Sequence, residues 1–460
     1  MVFSSSVFLF VFLPTLLSLY FIAADKFRNA ILLVFSLVFY AWGEPKNVFL
    51  MIATIVANYL LGFAAAPTSK FRKTGLAVAI AIDLAALFVF KYLNFAVDTA
   101  NTVFGTAFAV RRIALPIGIS FYTFQIMSYV IDVYKGVVKP QRNIFDLALY
   151  VSLFPQLIAG PIVRYIDVEK QIAERKASWD GAAYGLSRFA TGFSKKVLVA
   201  DQLAPLADIC FSGTYPSAYL NWAGMVAYSL QIYYDFSGYS DMAIGLGKVF
   251  GFDFLENFNY PYVSRSIQEF WRRWHISLST WFRDYVYIPL GGNRAGTART
   301  YLNLVIVFFL TGLWHGASFS FIFWGLFHGA FLITERVGLR KALEKCPKAV
   351  GHVYSLFAVM IAWVFFRADT LAAALHYIRG LFSAAGDKDM VNFVYVMNRQ
   401  YWFFIVAGIV CALPHSRLKA KLTSLPTWPA IGSLLTIAIF LLAVCYMIGS
   451  GYSPFLYFRF

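Results

Sequence analysis

Charge is scarce in this sequence. Only 13% of its 460 residues are Asp, Glu, Lys or Arg, and 60% are hydrophobic, whereas a soluble domain has about 25% charged residues. So few charges cannot clothe a soluble globular surface. Short alternating strands are missing too, since the apolar runs are continuous, and this excludes a transmembrane barrel. Only four cysteines occur, Cys210, Cys346, Cys411 and Cys445. None stands in a CxxC or Cys/His spacing, so neither a metal site nor a disulfide framework is expected. No Walker or dinucleotide glycine pattern is present, and Gly291-Gly292-Asn293-Arg294-Ala295-Gly296 reads as a plain turn. No nucleic-acid-binding motif accompanies the net charge of +16. Lysines and arginines collected in cytoplasmic loops against anionic headgroups account for that charge. The first 24 residues lack a basic leader and a small-residue cleavage site, so they read as a retained span rather than a removed signal.

What is present is a succession of apolar segments separated by short basic loops, the pattern of an all-α polytopic integral membrane protein. After the first span, segments lie near 30–43, 48–65, 75–97, 113–133, 144–163, 185–211, 219–250, 301–334, 351–366, 371–385, 400–413 and 430–450. At ~20 residues per span they predict about ten to twelve membrane helices, some re-entrant or broken. The basic loops at Lys26 and Arg28, at Lys70 to Lys73 and at residues 335–348 are expected in the cytoplasm, which puts the N-terminus outside. No internal repeat and no long linker is visible, so residues 1–460 read as one domain. The missing inverted repeat argues against a secondary transporter.

Within residues 301–334 an imidazole, His315, stands in a run from which ionisable residues are otherwise nearly excluded. An ionisable group at membrane depth is a functional hypothesis by default, and imidazole titrates near neutrality, which suits proton transfer. One helix over 301–333 would be about 50 Å long at 1.5 Å per residue, against a hydrocarbon core of about 30 Å. The segment is therefore expected to break at Thr311-Gly312 or His315-Gly316. Broken backbone at that depth belongs inside protein or against a polar cavity. His328 follows 13 residues later, about 220° round and ~20 Å along a continuous helix, which would keep it out of the same site. His328, His352, His376 and His415 are read as lying near helix ends or loops, with structural roles.

A second constellation runs from Trp271 to Tyr285. As one helix it places Trp271, Trp274, Leu278, Trp281, Phe282 and Tyr285 on an apolar stripe opposite Arg272, Arg273, Ser279, Thr280 and Arg283, the mark of an interfacial amphipathic helix. His275 falls at the border of the two faces, and an interfacial or a functional role remains open for it. The basic face suits either phosphate groups or the membrane surface. A third patch sets Asp235, Ser237, Tyr239, Ser240 and Asp241 in an apolar stretch. Carboxylates at i and i+6 do not share a helical face, and helix–helix hydrogen bonding competes with catalysis as their role.

The run from Arg272 through His275, Arg283 and Asp284 to Tyr285, followed by Trp314-His315-Gly316, resembles the membrane-bound O-acyltransferase (MBOAT) family. Within it the chain is similar to the bacterial alginate O-acetyltransferase membrane subunits, through residues 115–136, 154–164 and 234–247 and through both termini. The resemblance implies a ring of helices around a thin, funnel-shaped centre. It also implies catalytic roles for His315 and His275, with Trp314, Arg272, Arg273, Arg283, Asp284, Asp235 and Ser240 as candidate substrate contacts. The expected reaction moves an acetyl group from a cytoplasmic thioester, acetyl-CoA or another acyl donor, toward an exopolysaccharide such as alginate. It needs a base for the hydroxyl proton and stabilisation of the oxyanion. His315 would be base and acid, with His275 orienting it or polarising the carbonyl. No permanently bound cofactor, metal or nucleic acid is expected; membrane lipids, the polymer and a periplasmic acetyl-handling protein are the expected partners. A D-alanyl-transfer protein of the same family and a polysaccharide transporter or export channel are the alternatives.

Overall fold

A computed structural model describes residues 1–109, 112–383 and 386–450, all of them helical or irregular. Among these residues five helices are long and apolar enough to cross a membrane: Asn47–Ala65, Arg72–Phe104, Thr297–His315, Lys348–Arg367 and Trp428–Gly449. A sixth span results if Asp387–Val396 and Arg399–Cys411, bent by 82° at their junction, count as one. The protein is thus an all-α, multi-pass membrane protein. The other expected spans are helical but interrupted, short or more polar. Residues 144–163, for example, form a helix only over Ile144–Ser152 and a turn at Phe154–Leu157.

The chain divides into two compact units, Met1–Phe189 with Met242–Leu255, and Ala190–Asp241 with Glu256–Phe460. In the first, helix α1 (Asn47–Ala65) packs against α2 (Arg72–Leu87). A buried hydrogen bond from Asn58 Nδ2 to Asp83 Oδ1, 2.8 Å long, joins them. Polar side chains between helices are favoured in lipid because hydrocarbon offers no other partner. Phe3, Phe8, Phe12, Phe39 and Phe154 cluster nearby, with ring centroids 4.9–6.2 Å apart. The 32-residue helix α3 (Ala218–Val249) supplies residues to both units.

The second unit carries the two histidine motifs. The predicted 301–334 segment is two helices, α6 (Thr297–His315) and α7 (Phe319–Thr334), preceded by α4 (Ile267–Trp271) and α5 (Ile276–Phe282). The break falls at Gly316, one of the two places expected, where the backbone is extended, and Ser318 caps the next helix by accepting from Phe321 N–H. Gly312 continues inside α6. The two helices then run back along each other at very close range. A β-carbon on Gly312 would strike the Phe321 carbonyl, and one on Gly325 would strike the Phe308 carbonyl. Small residues that let backbones meet are the usual device for packing helices in membranes.

The expected single amphipathic helix over 271–285 is not formed. It stops at Trp271, turns through a left-handed His275 (φ 44°, ψ 54°), resumes over Ile276–Phe282 and closes in a wider turn over Arg283–Tyr287. The apolar stripe is nonetheless buried at Trp271, Trp274, Leu278, Trp281 and Phe282. The first piece is held by Glu335, at the end of α7. Its Oε1 accepts from Ile267 N–H at 2.5 Å and Tyr354 O–H at 3.1 Å, and its Oε2 accepts from Gln268 N–H at 3.1 Å. The carboxylate thus serves two of the free N–H groups that open α4, where the helix dipole also favours negative charge. The Gly291–Gly296 stretch is the turn expected, pinned by Asn303 Nδ2, which donates to the Leu290 and Gly292 carbonyls.

Two outcomes follow from this packing. Gly325→Val should lower the thermal stability of detergent-solubilised protein by about 1–3 kcal/mol, the cost of overpacking; an unchanged melting temperature would contradict the close crossing. Glu335→Ala leaves two backbone N–H groups and one tyrosine hydroxyl without their acceptor. It should cost about 3 kcal/mol in the same assay, with Glu335→Gln milder.

Candidate functional site

His315 is the last residue of α6, buried at 5% exposure. Its ring is enclosed by aromatic faces: Trp314 at 4.9 Å, Trp324 at 4.9 Å and Phe366 at 5.2 Å between centroids, all nearly edge-on. Trp324 reaches it from α7 because the glycine crossing folds that helix back. His328 lies mid-way along α7, buried, rather than near a helix end. It packs against Trp324 at 5.2 Å and Trp271 at 5.1 Å. One indole therefore touches both His315 and His328, a neighbourhood that a straight helix would not allow.

His275 is fully buried, not at the border of an exposed face. The edge of Phe236 meets it at 4.7 Å, and Trp314 at 6.0 Å. Trp314 thus touches both imidazoles. The two histidines are not hydrogen-bonded to each other: His275 Nδ1 lies 3.2 Å from Asn257 Oδ1, and its Nε2 has no hydrogen-bond partner among the described residues. Burial without a nearby charge lowers the His275 pKa to about 3, so the ring is neutral at physiological pH.

The same unit holds a cavity of about 640 Å³. Its walls include Trp271, Ile276, Phe308 and Thr311, and Arg272, Arg283, Arg336 and Arg340 also line it, with Glu335. Thr311 lies one helical turn before His315 on the same face of α6, and Ile276 directly follows His275. Neither histidine lines the cavity itself; its wall comes nearest to them in the chain at Thr311 and Ile276, and the charge facing the cavity is mostly guanidinium.

The remaining candidates separate. Arg272 and Arg283 are exposed cavity residues, and Arg283 also pairs with Asp284 at 2.7 Å. Arg273 pairs with Glu269 at 2.9 Å and donates to the Asn259 carbonyl, and neither it nor Asp284 forms part of the cavity wall. Asp235 is buried in an ion pair with Lys196 at 2.8 Å, and Lys196 also holds Asp201 at 2.9 Å. Ser240 is buried and accepts from Asn257 Nδ2 at 3.1 Å. Asp235 thus belongs to a buried charge cluster rather than to the cavity, and Ser240 belongs to the surroundings of His275. Sequence reasoning missed Asn257 and Trp324. The first looks like one more polar residue in a turn, and the second like one more aromatic in an apolar run.

Comparison with known proteins shows the family to which the chain belongs. The model of "MBOAT, membrane-bound O-acyltransferase family" matches residues 132–375, an interval that contains both histidines. A protein of Azotobacter vinelandii named "Probable alginate O-acetylase AlgI" is 47% identical over 422 residues, covering 90% of this chain and 84% of that one. Its namesake in Pseudomonas putida is 42% identical over the whole of both chains. The "Peptidoglycan O-acetyltransferase" of Helicobacter pylori is 36% identical over 84% of this chain and 80% of its own. A polytopic helical chain with this match and this identity is a membrane acyltransferase, and it belongs to the membrane-bound O-acyltransferase family.

Proposed function

We propose that the protein transfers acetyl groups from a cytoplasmic thioester to the hydroxyls of an exopolysaccharide, alginate being the acceptor its relatives' names suggest. The observation that carries this reading is the placement of His315, buried at a helix break one turn beyond the wall of an arginine-lined cavity. The cavity is the donor's entry. Guanidinium groups match phosphate oxygens in geometry as well as charge, so Arg272, Arg283, Arg336 and Arg340 hold the phosphorylated end of acetyl-CoA or of another phosphorylated acyl carrier. The apolar interior takes the thioester end.

His315 removes the proton of the acceptor hydroxyl as its oxygen attacks the thioester carbon. It then returns that proton to the sulfur as the C–S bond breaks. His275 supplies the second imidazole, and Trp314 packs against both. Arg273, Asp284 and Asp235 shape and hold the surrounding elements. In this reading residues 1–460 act as one functional domain in a bacterial inner membrane, with the N-terminus periplasmic, and adopt the ring around a funnel-shaped centre that family membership suggests. The polymer, or a periplasmic acetyl-handling protein, receives the acetyl group. The Helicobacter relative makes peptidoglycan the acceptor to assay beside the secreted polymer.

His315→Ala should reduce the O-acetyl content of the polymer by about 10²-fold or more with membrane levels unchanged. Normal acetylation in that variant would remove His315 from the chemistry. Arg272→Glu combined with Arg336→Glu should raise the donor KM roughly tenfold with little change in kcat. An equal loss of kcat at constant KM would instead place these arginines outside donor binding.

A further inference from the structure

Two residues other than glycine hold a left-handed backbone among the described residues, Tyr260 and His275. Both belong to one small structure. The Asn259 N–H donates to the Arg273 carbonyl at 2.9 Å, and the Ile276 N–H donates to the Asn257 carbonyl at 3.0 Å. Segment 257–260 is thereby laced to 273–276. A left-handed non-glycine residue costs about 1–3 kcal/mol and persists only where its surroundings fix it.

The Asn257 side chain completes the clamp. Its Oδ1 accepts from the Ser277 N–H at 3.2 Å and from the Ser277 hydroxyl at 2.9 Å, and its Nδ2 donates to Ser240 Oγ at 3.1 Å. A backbone nitrogen can only donate, so the Ser277 N–H fixes which end of the amide is oxygen. His275 Nδ1 lies 3.2 Å from that same oxygen. Facing an acceptor, Nδ1 carries the proton. A neutral imidazole has one N–H, which leaves the lone pair on Nε2, the buried atom without a hydrogen-bond partner among the described residues.

We propose that Asn257 is a positioning residue that locks His275 in the Nδ1–H tautomer and keeps Nε2 bare as an acceptor for a substrate hydroxyl. The inference rests on the reading that His275 belongs to the acyl-transfer site. In this state His275 accepts a proton or a hydrogen bond and does not donate to the carbonyl oxygen of the donor, so the oxyanion is met by other groups. Among the described residues, no charge competes with the amide for the ring. Phe236 faces it from α3, Ser277 from α5 and Trp314 from α6. Asp235, beside Phe236 in sequence, is committed to Lys196.

The first test reads the ring and not the reaction. In protein labelled with ¹⁵N-histidine, the His275 signals, identified by their loss in His275→Gln, should show a protonated Nδ1 and an unprotonated Nε2. A protonated Nε2 in the wild type would overturn the proposal whatever the enzyme does. The second test follows acetyl transfer from acetyl-CoA to the cells' own polymer in membrane vesicles across pH, with His315→Ala as the inactive control. Asn257→Asp keeps the acceptor but adds a negative charge that stabilises imidazolium, so the pH at which His275 takes up its second proton, read from its ¹⁵N signals beside the rate, should rise by about one unit or more. Asn257→Ala should lower kcat about tenfold or more with the donor KM within about twofold. A wild-type pH profile in Asn257→Asp, with wild type active and His315→Ala inactive, would reduce Asn257 to a structural residue and leave the acetyl-transfer reading standing. An inactive wild type with the expected ¹⁵N signals would count against the transfer reading alone.

Discussion

The close meeting of two helix backbones at Gly312 and Gly325 is the constraint on which the site depends. Only hydrogen occupies the space where a β-carbon would strike the Phe321 or Phe308 carbonyl. Because α6 and α7 lie that close, Trp324 reaches His315 with its ring, and it also meets His328 and, at 5.9 Å, Trp271. The end of α7 carries Glu335, which holds the first turn of α4 by two N–H groups. From α4 the chain passes directly to His275. One helix crossing therefore governs the placement of both imidazoles, the first by ring contact and the second through a carboxylate at a helix start. Interiors are packed as tightly as organic crystals, so displacement at such a crossing is transmitted rather than absorbed.

Among the described residues, the polarity around His275 is supplied without charge. Aromatic rings form most of the shell, and Asn257, Ser277 and Ser240 provide the hydrogen bonds. Formal charge is placed elsewhere: in the cavity's arginines, and in the buried group of Lys196, Asp201 and Asp235. Burying an isolated charge is costly, whereas burying a neutral, hydrogen-bonded imidazole is not. An apolar shell also strengthens any electrostatic interaction that forms inside it, since little water is present to screen it.

Much of this arrangement was legible in the sequence. Scarcity of charge and continuous apolar runs give the membrane class. The arithmetic of helix length against bilayer thickness, with glycine beside His315, gives the break, and the structure puts it at Gly316. The amphipathic helix over 271–285 was misread because the pattern of tryptophan and arginine is the same whether the helix is continuous or broken. What breaks it is Asn257, 18 residues upstream of His275, whose backbone and side chain hold a left-handed turn that periodicity does not encode. The Asp235 patch was visible as polar residues in an apolar run. Its partner, Lys196, lies 39 residues earlier and only tertiary packing brings the two together. Some apolar segments are long enough in sequence but form shorter helices, as where residues 144–163 are helical over Ile144–Ser152 and turn at Phe154–Leu157.

The separation of the two imidazoles has a chemical consequence. Hydrogen-bonded histidines would share a proton, and their titrations would merge into steps belonging to the pair. Here Trp314 packs against both rings and no hydrogen bond joins them, while Nδ1 of His275 is committed to Asn257. An indole face carries no proton from one ring to the other. In the proposed reaction, a proton gained at one histidine therefore leaves by way of the substrate bound beside it, not by way of the second histidine. Two bases kept apart in this way can serve two different atoms of a reaction, and the bound substrate is then the link between them.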